Sequence, residues 1–298
     1  LKGGIYMLNV TNINKQLGDF RLNNINLTLE DGYIMGLIGA NGSGKTSLIR
    51  LLCGLTKSDS GSIAFDNLHS ELNEDSYKQN IGYVASGRDH GFFDKMSLDK
   101  NAHFFGKFYN EYDHQTFLQY AKDLELNINK DVFDCSDSEL IRFEFAFAMS
   151  HNARLLILDE PNGSFDDKLN RKFAHILRKY INEHMACAII ATHITEELDN
   201  IADYITMINN GNIVFSKDIE TLLDDYFIVK GDRIIRHKYD KQDIIFCESN
   251  EYGTTVFIKN NERTRTCSKS FADGAVKIIR PAIEDILFYM IKGGYNHA

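Results

Sequence analysis

The 298 residues carry 33 Lys and Arg against 42 Asp and Glu, a formal charge of −9, with 43% hydrophobic and 25% charged side chains. That composition argues against disorder and against a membrane-embedded body, and the net acidity argues against a surface that neutralises nucleic-acid phosphates, which needs clustered cations. At roughly 100–200 residues per domain, the length implies one large domain, or one domain with an appendage of about a third of the chain.

In chain order, residues 7–12 and 20–29 alternate apolar and polar, with Phe20, Leu22, Ile25, Leu27 and Leu29 as apolar members, which predicts half-buried strands of an antiparallel entry sheet. Residues 33–38 form a dense apolar run ending in glycine, and 45–55 take helical spacing through Leu48, Leu51 and Leu52. From about 87 to 150 the strand signal fades. Aromatics recur there (Phe92, Phe93, Phe104, Phe105, Phe108, Tyr109, Tyr112, Phe117), predicting a mostly helical insert. Residues 154–159 and 185–192 read as buried strands one helix length apart, the βαβ rhythm of a parallel sheet. Beyond about 216, short strands alternate with turn signals at Lys230-Gly231-Asp232, Ser249-Asn250 and Gly253, and an apolar helix over 283–291 follows Pro281. The expectation is an α/β domain over 7–215 and a small α+β appendage over 216–298.

Cys53, Cys135, Cys187, Cys247 and Cys267 include no C-x-x-C pair and read as reduced thiols. No run reaches the roughly 18 apolar residues of a spanning helix, so a membrane role is expected to come through a partner. Residues 1–6 lack the order of a signal peptide, and Met7 reads as a native start behind extension residues.

The chemistry is carried by Gly39-Ala40-Asn41-Gly42-Ser43-Gly44-Lys45-Thr46, which satisfies G-x-x-x-x-G-K-[ST] between a predicted strand and a predicted helix. Glycines let backbone N–H groups wrap phosphate oxygens, and the helix N-terminus adds partial positive charge. Lys45 then reaches the β- and γ-phosphates, Thr46 offers a hydroxyl to Mg²⁺, and Ser47 can donate once more. The buried strand Leu155-Leu156-Ile157-Leu158-Asp159-Glu160 ends in two carboxylates, where open α/β sheets bind ligands. Asp159 is the metal candidate, and Glu160 is placed to polarise an attacking water. His193, ending the next predicted strand, brings an imidazole to the same edge. The other nine histidines show no ligand spacing.

On these residues the chain resembles the ATP-binding subunit of ABC transporters over about residues 7–215, a P-loop NTPase fold with an antiparallel β subdomain and a helical insert. The resemblance implies Walker A at residues 39–46, Walker B at Leu155–Asp159, a catalytic carboxylate at Glu160 and a switch histidine at His193. It places the D-loop at Gly163-Ser164-Phe165-Asp166, with Asp166 in the family position. It also implies ATP and Mg²⁺, and a second ATPase subunit, identical or related, that closes two ATP molecules between the pair. Separate membrane-spanning permease subunits would hold the chain at the cytoplasmic face of the plasma membrane. The stretch 91–112 is the candidate docking surface, its alternative role being the insert's own core.

Three departures stand out. The family signature L-S-G-G-Q is here Cys135-Ser136-Asp137-Ser138-Glu139, where Ser136 would donate to the partner subunit's nucleotide but Asp137 sets a negative charge before phosphate. The composite site is therefore expected to turn over slowly. Ser86 occupies the Q-loop glutamine position and reaches metal only through water. Leu17 stands near the usual adenine-stacking aromatic, leaving Phe20 as the nearest ring, either stacked on a base or part of the core. Within the superfamily, Gly32-Tyr33-Ile34-Met35-Gly36-Leu37-Ile38-Gly39, Gly91-Phe92-Phe93-Asp94 and the closing segment 283–293 resemble bacterial exporters of antibiotic peptides and phenol-soluble modulins. Rival readings are a soluble ABC protein acting on ribosomes or DNA, disfavoured by one phosphate loop, no heptad run and the charge of −9, and a P-loop kinase or GTPase, for which the N-K-x-D guanine signature is absent.

Overall fold

The computed structural model describes residues 6–85, 91–161, 165–271 and 276–293. The chain opens with β1 (Tyr6–Leu17), β2 (Phe20–Glu30) and β3 (Ile34–Ile38), then α1 (Lys45–Leu52), β4 (Ser60–Phe65), β5 (Leu68–His69), α2 (Glu74–Gln79) and β6 (Ile81–Ala85). Three helices follow, α3 (Leu98–Gly106), α4 (His114–Asp123) and α5 (Asp137–Ser150). The sheet resumes with β7 (Leu155–Asp159), α6 (Asp167–His184), β8 (Cys187–Thr192), β9 (Tyr204–Asn209) and β10 (Asn212–Asp218). The last third holds α7 (Ile219–Asp224), β11 (Tyr226–Gly231), β12 (Ile244–Asn250), β13 (Gly253–Lys259), α8 (Glu262–Lys269), β14 (Val276–Ile279) and α9 (Ile283–Lys292).

The entry sheet, in order β2-β1-β4-β5, is antiparallel throughout. Leu22, Ile25, Leu27 and Leu29 of β2 all face inward, although the spacing between Leu22 and Ile25 breaks strict alternation. A register shift between Ile13 and Lys15, opposite an Asn24 with φ of 48°, absorbs the extra residue as a bulge. The central sheet runs β10-β9-β3-β8-β7-β6, parallel except for the β10 edge.

Both faces of this parallel sheet are covered, which is why its strands read as unbroken apolar runs. Alternate residues go to different layers. Met35, Leu37, Leu155, Ile157 and Ile189 join the core beneath the entry sheet and α1. Ile34, Ile38, Leu156, Leu158 and Ile190 join the core built with α4, α5 and α6. Each fully buried Leu or Ile contributes roughly 1.5–3 kcal/mol by removal from water.

The predicted helical insert is present as α3, α4 and α5, but it is not walled off from the sheet. Phe117 of α4 and Phe143 of α5 share one core with the strands. Its aromatics divide. Phe92, Phe105, Tyr109 and Tyr112 pack inward, while Phe93, Phe104 and Phe108 are 47%, 40% and 65% exposed.

The main sheet runs on to Asp218, three residues past the predicted limit of 215. Beyond it, β12-β13-β11-β14 form a separate antiparallel sheet. Strand β11 serves two cores: Tyr226 and Ile228 enter the main one, Phe227 and Val229 a small local one. Helix α9 buries Ile283, Ile286 and Met290 in the main core. Its N-cap is Ala282, so Pro281 lies one residue outside the helix rather than in its first turn. All five cysteines are unbridged.

Candidate functional site: a phosphate loop at the strand ends

The ends of β3, β7 and β8 lie side by side, with Ile38 opposite Thr192 and Asp159 opposite Ala191. The segment 39–44 leaves β3 here and turns into α1. A Cβ at Gly39 would sit 2.3 Å from the Ile208 carbonyl oxygen and 2.6 Å from Ser43 Oγ, so only hydrogen fits. Gly44 takes φ of 114° and has the Phe20 ring tip and a Leu22 methyl within 2.9 Å of where its Cβ would be. As N-cap it offers no side chain, so the first-turn N–H groups of α1 are left for another acceptor. Ser43 Oγ is buried with no hydrogen-bond partner among the described residues. Lys45, 7% exposed, folds back and donates from Nζ to the Gly39 carbonyl at 2.7 Å. Uncapped N–H groups, an unmatched hydroxyl and a buried ammonium in one loop fit a polyanion such as a nucleotide triphosphate.

Burial pulls Lys45 below the ordinary lysine value, and the charges of Glu160 and Asp159 partly restore it. Asp159 is 8% exposed at the end of β7. Burial, then repulsion from Glu160, push its carboxyl up, against a hydrogen bond from the Thr46 side chain and the charges of Lys45 and Arg50. Thr46 and Asp159 thus stand near one another, one hydroxyl and one carboxylate of hard oxygen chemistry that suits Mg²⁺.

Glu160 adopts φ of 53°, a left-handed conformation uncommon for a side chain of its length, and its N–H donates to Ala191 O at 2.8 Å. This turn swings its carboxylate away from Asp159. Glu160 Oε2 lies 2.7 Å from His193 Nδ1, and the Thr192 hydroxyl donates to it at 3.4 Å. Residues 33 apart in sequence meet because β7 and β8 are parallel neighbours that end together. Thr192 was absent from the sequence-based candidates; its only signal was its place beside His193 at a strand end.

The remaining candidates fall elsewhere. Phe20 is half-buried against the core below the entry sheet, its ring tip against Gly44, which puts it beside the phosphate loop as a packing residue. Ala40 and Ser47 are half-buried, and Asn41, Gly42 and Thr46 are exposed on the loop and helix start. Ser136 is the N-cap of α5 in a complete capping box: its Oγ accepts from Glu139 N–H, and Glu139 Oε2 accepts from Ser136 N–H at 2.8 Å. Lys130 completes the arrangement with an ion pair to Glu139 at 2.7 Å. Asp166 likewise caps α6, accepting from Leu169 N–H at 2.8 Å. Ser86, Gly163 and Ser164 lie outside the described residues.

Residues 22–163 match the family model described as ABC transporter. The ABC transporter ATP-binding protein NatA of Bacillus subtilis is 25% identical over 73% of this chain and 92% of its own length. The sulfate/thiosulfate import ATP-binding protein CysA of Synechocystis is 31% identical over 68% of this chain, which spans only 58% of that relative. The dimeric structure of a post-hydrolysis state of an ATP-binding cassette bound to ADP and Pi superposes with a TM-score of 0.64 at 21% identity, covering 72% of this chain and 99% of that one. Fold, phosphate loop and matches together give this chain the P-loop fold of ABC ATPases, with an ATP-hydrolysing cassette whose residues 22–163 are similar to ABC transporter ATP-binding proteins.

Proposed function

We propose that the chain is the ATP-hydrolysing subunit of an ABC transporter that exports an amphipathic or antimicrobial peptide through separate permease subunits. The observation that carries the nucleotide reading is the convergence of Lys45, Thr46, Asp159 and the Glu160–His193 pair at three adjacent strand ends. Lys45 and the N–H groups of α1 hold the phosphates, Glu160 orients and deprotonates water, and His193 keeps that carboxylate in place. Thr46 and Asp159 would hold Mg²⁺, which neutralises charge on phosphate oxygens when bound; Ser86 is a weaker candidate for the same ion.

Among the described residues no helix is long and apolar enough to cross a membrane, which is in keeping with a peripheral subunit held at the cytoplasmic face by a permease. The exposed rings of Phe93, Phe104 and Phe108, beside a groove of about 860 Å³ lined by Leu68, Phe108 and Asn110 among others, are the proposed contact for a permease segment.

A second ATPase subunit, a copy or a related chain, would receive the N-terminus of α5 at its nucleotide. That terminus is poorly suited to phosphate. Its cap is closed by Glu139, and Asp137 adds a further carboxylate to the first turn. Two like charges about 4 Å apart repel by about 1 kcal/mol even in water, a factor of about five in rate. The double variant Asp137→Gly/Ser138→Gly is expected to raise turnover about fivefold, measured as phosphate release; an unchanged or lower rate counts against the idea.

Peptide export rests on the resemblance of 32–39, 91–94 and 283–293 to peptide exporters, whereas similarity to CysA favours sulfate import. Purification from membranes with bound permease, followed by reconstitution in vesicles, separates the two. Stimulation of ATP hydrolysis by amphipathic peptide supports export of such a cargo; stimulation by sulfate or thiosulfate supports the second reading.

A further inference from the structure

Helix α5 is buried continuously from Phe143 to Ser150, and one member of that run is an acid: Glu144, 6% exposed. Its Oε2 accepts the backbone N–H of Ala85 at 2.8 Å. Ala85 is the last residue of β6, the edge strand of the central sheet, and is in register with Asp159 on β7. An aliphatic side chain would fill the position without desolvating a carboxyl, but would leave the N–H of half-buried Ala85 without its acceptor. Glu144 therefore supplies the acceptor that a further strand would supply elsewhere in the sheet.

The surroundings keep this acid neutral. Burial pushes the Glu144 carboxyl up to about 8. Lys78 from α2, Tyr83 on β6, Cys53 beyond α1, Tyr109 beyond α3 and His151 at the C-cap of α5 line the same cavity of about 310 Å³. His151 is itself held neutral, brought down to about 4 by burial.

We propose that Glu144 is a positioning residue for ATP hydrolysis, fastening the end of β6 beside Asp159 to the helix that Ser136 caps, so that strand end and helix move as one body. The geometry leaves little slack. Ser136 and Glu144 are about two turns apart on one helix, and Glu144 accepts a single hydrogen bond from the strand that flanks the metal-side carboxylate. Losing that bond frees Ala85 and, through the ladder, loosens Asp159 without removing any group that touches nucleotide. This rests on the nucleotide-site reading above.

The test is steady-state ATP hydrolysis by the full chain, with Glu144→Gln and Glu144→Leu. Gln retains a carbonyl acceptor for Ala85; Leu does not. Expected is a fall of about tenfold or more in kcat for Glu144→Leu with KM for ATP within about threefold, and recovery to within about threefold of wild-type kcat in Glu144→Gln. A Glu144→Leu kcat close to wild type overturns the proposal, as does an equal loss of kcat and ATP affinity in both variants. Should Glu144→Leu fail to fold by circular dichroism, Glu144→Met, closer in length and equally unable to accept from Ala85, decides by the same comparison with Glu144→Gln: a Glu144→Met kcat close to wild type overturns the proposal. Lys45→Ala, run in parallel, reports on the nucleotide site by itself: if it retains full activity the site reading has failed, whatever Glu144 does.

Discussion

Replacement of Glu160 by Gln is expected to lower ATP turnover by about 10²–10⁴-fold, the usual contribution of a positioned general base, while ATP affinity changes by no more than about threefold. Gln has the same length and tolerates the same backbone conformation, so the turn at φ of 53° and the contact with His193 Nδ1 survive. What is lost is the capacity to take a proton from water. In the proposed mechanism Glu160 is separated in role from Asp159 by direction: the left-handed turn brings Glu160 to His193, while Asp159 stays on the side of Lys45 and Thr46. Single-turnover phosphate release beside equilibrium ATP binding distinguishes the two roles. A turnover within threefold of wild type would remove Glu160 from the chemistry. His193→Ala, which leaves Glu160 in place but unsupported, is expected to give a smaller loss.

Lys45→Ala is expected to cost at least about 10²-fold in kcat/KM, comparable with removing one preorganised donor from a site that stabilises developing negative charge, and to weaken ATP binding as well. The ammonium is buried and tied to the Gly39 carbonyl, so it is already positioned before nucleotide arrives and little ordering remains to be done on binding. Burial also disfavours its charged form, with Glu160 and Asp159 opposing that effect; a phosphate brought against Nζ adds negative charge and strengthens the protonated state. The variant therefore loses the cation most closely wrapped by the loop. Titration calorimetry with magnesium and ATP checks affinity, and thermal unfolding checks that the fold persists. Unchanged magnesium-dependent affinity and turnover would remove the phosphate-loop assignment and the mechanism built on it.

The two variants also separate binding from chemistry. In the proposed mechanism Lys45 acts on the nucleotide in every state, so its loss is expected in both affinity and rate. Glu160, as proposed, acts on water, and its loss is expected in rate alone. Glu144 touches neither, and its signature is a rate loss that Gln repairs.

What the sequence by itself determined was everything set by neighbours along the chain. The phosphate loop, the α1 helix behind it, the buried run ending in Asp159 and Glu160, and the strands on either side of α6 were all legible, because glycine freedom, capping and hydrophobic period act within about ten residues. Only the tertiary structure decided which of these ends meet. His193 pairs with Glu160 because parallel strands set Asp159 level with Ala191, and parallel pairing leaves no local turn signal to read. The aromatic stretch of the insert looked uniform, yet packing sent Phe92 and Phe105 into the core and left Phe93, Phe104 and Phe108 outside. The boundary near 216 was blurred because β10 closes the main sheet at Asp218 and β11 then feeds two cores at once. Nothing in the local pattern singles out Glu144. Its burial, and the strand end it holds, depend on a contact between α5 and an edge strand 59 residues away, a distance over which side-chain pattern carries no information and only the packed fold does.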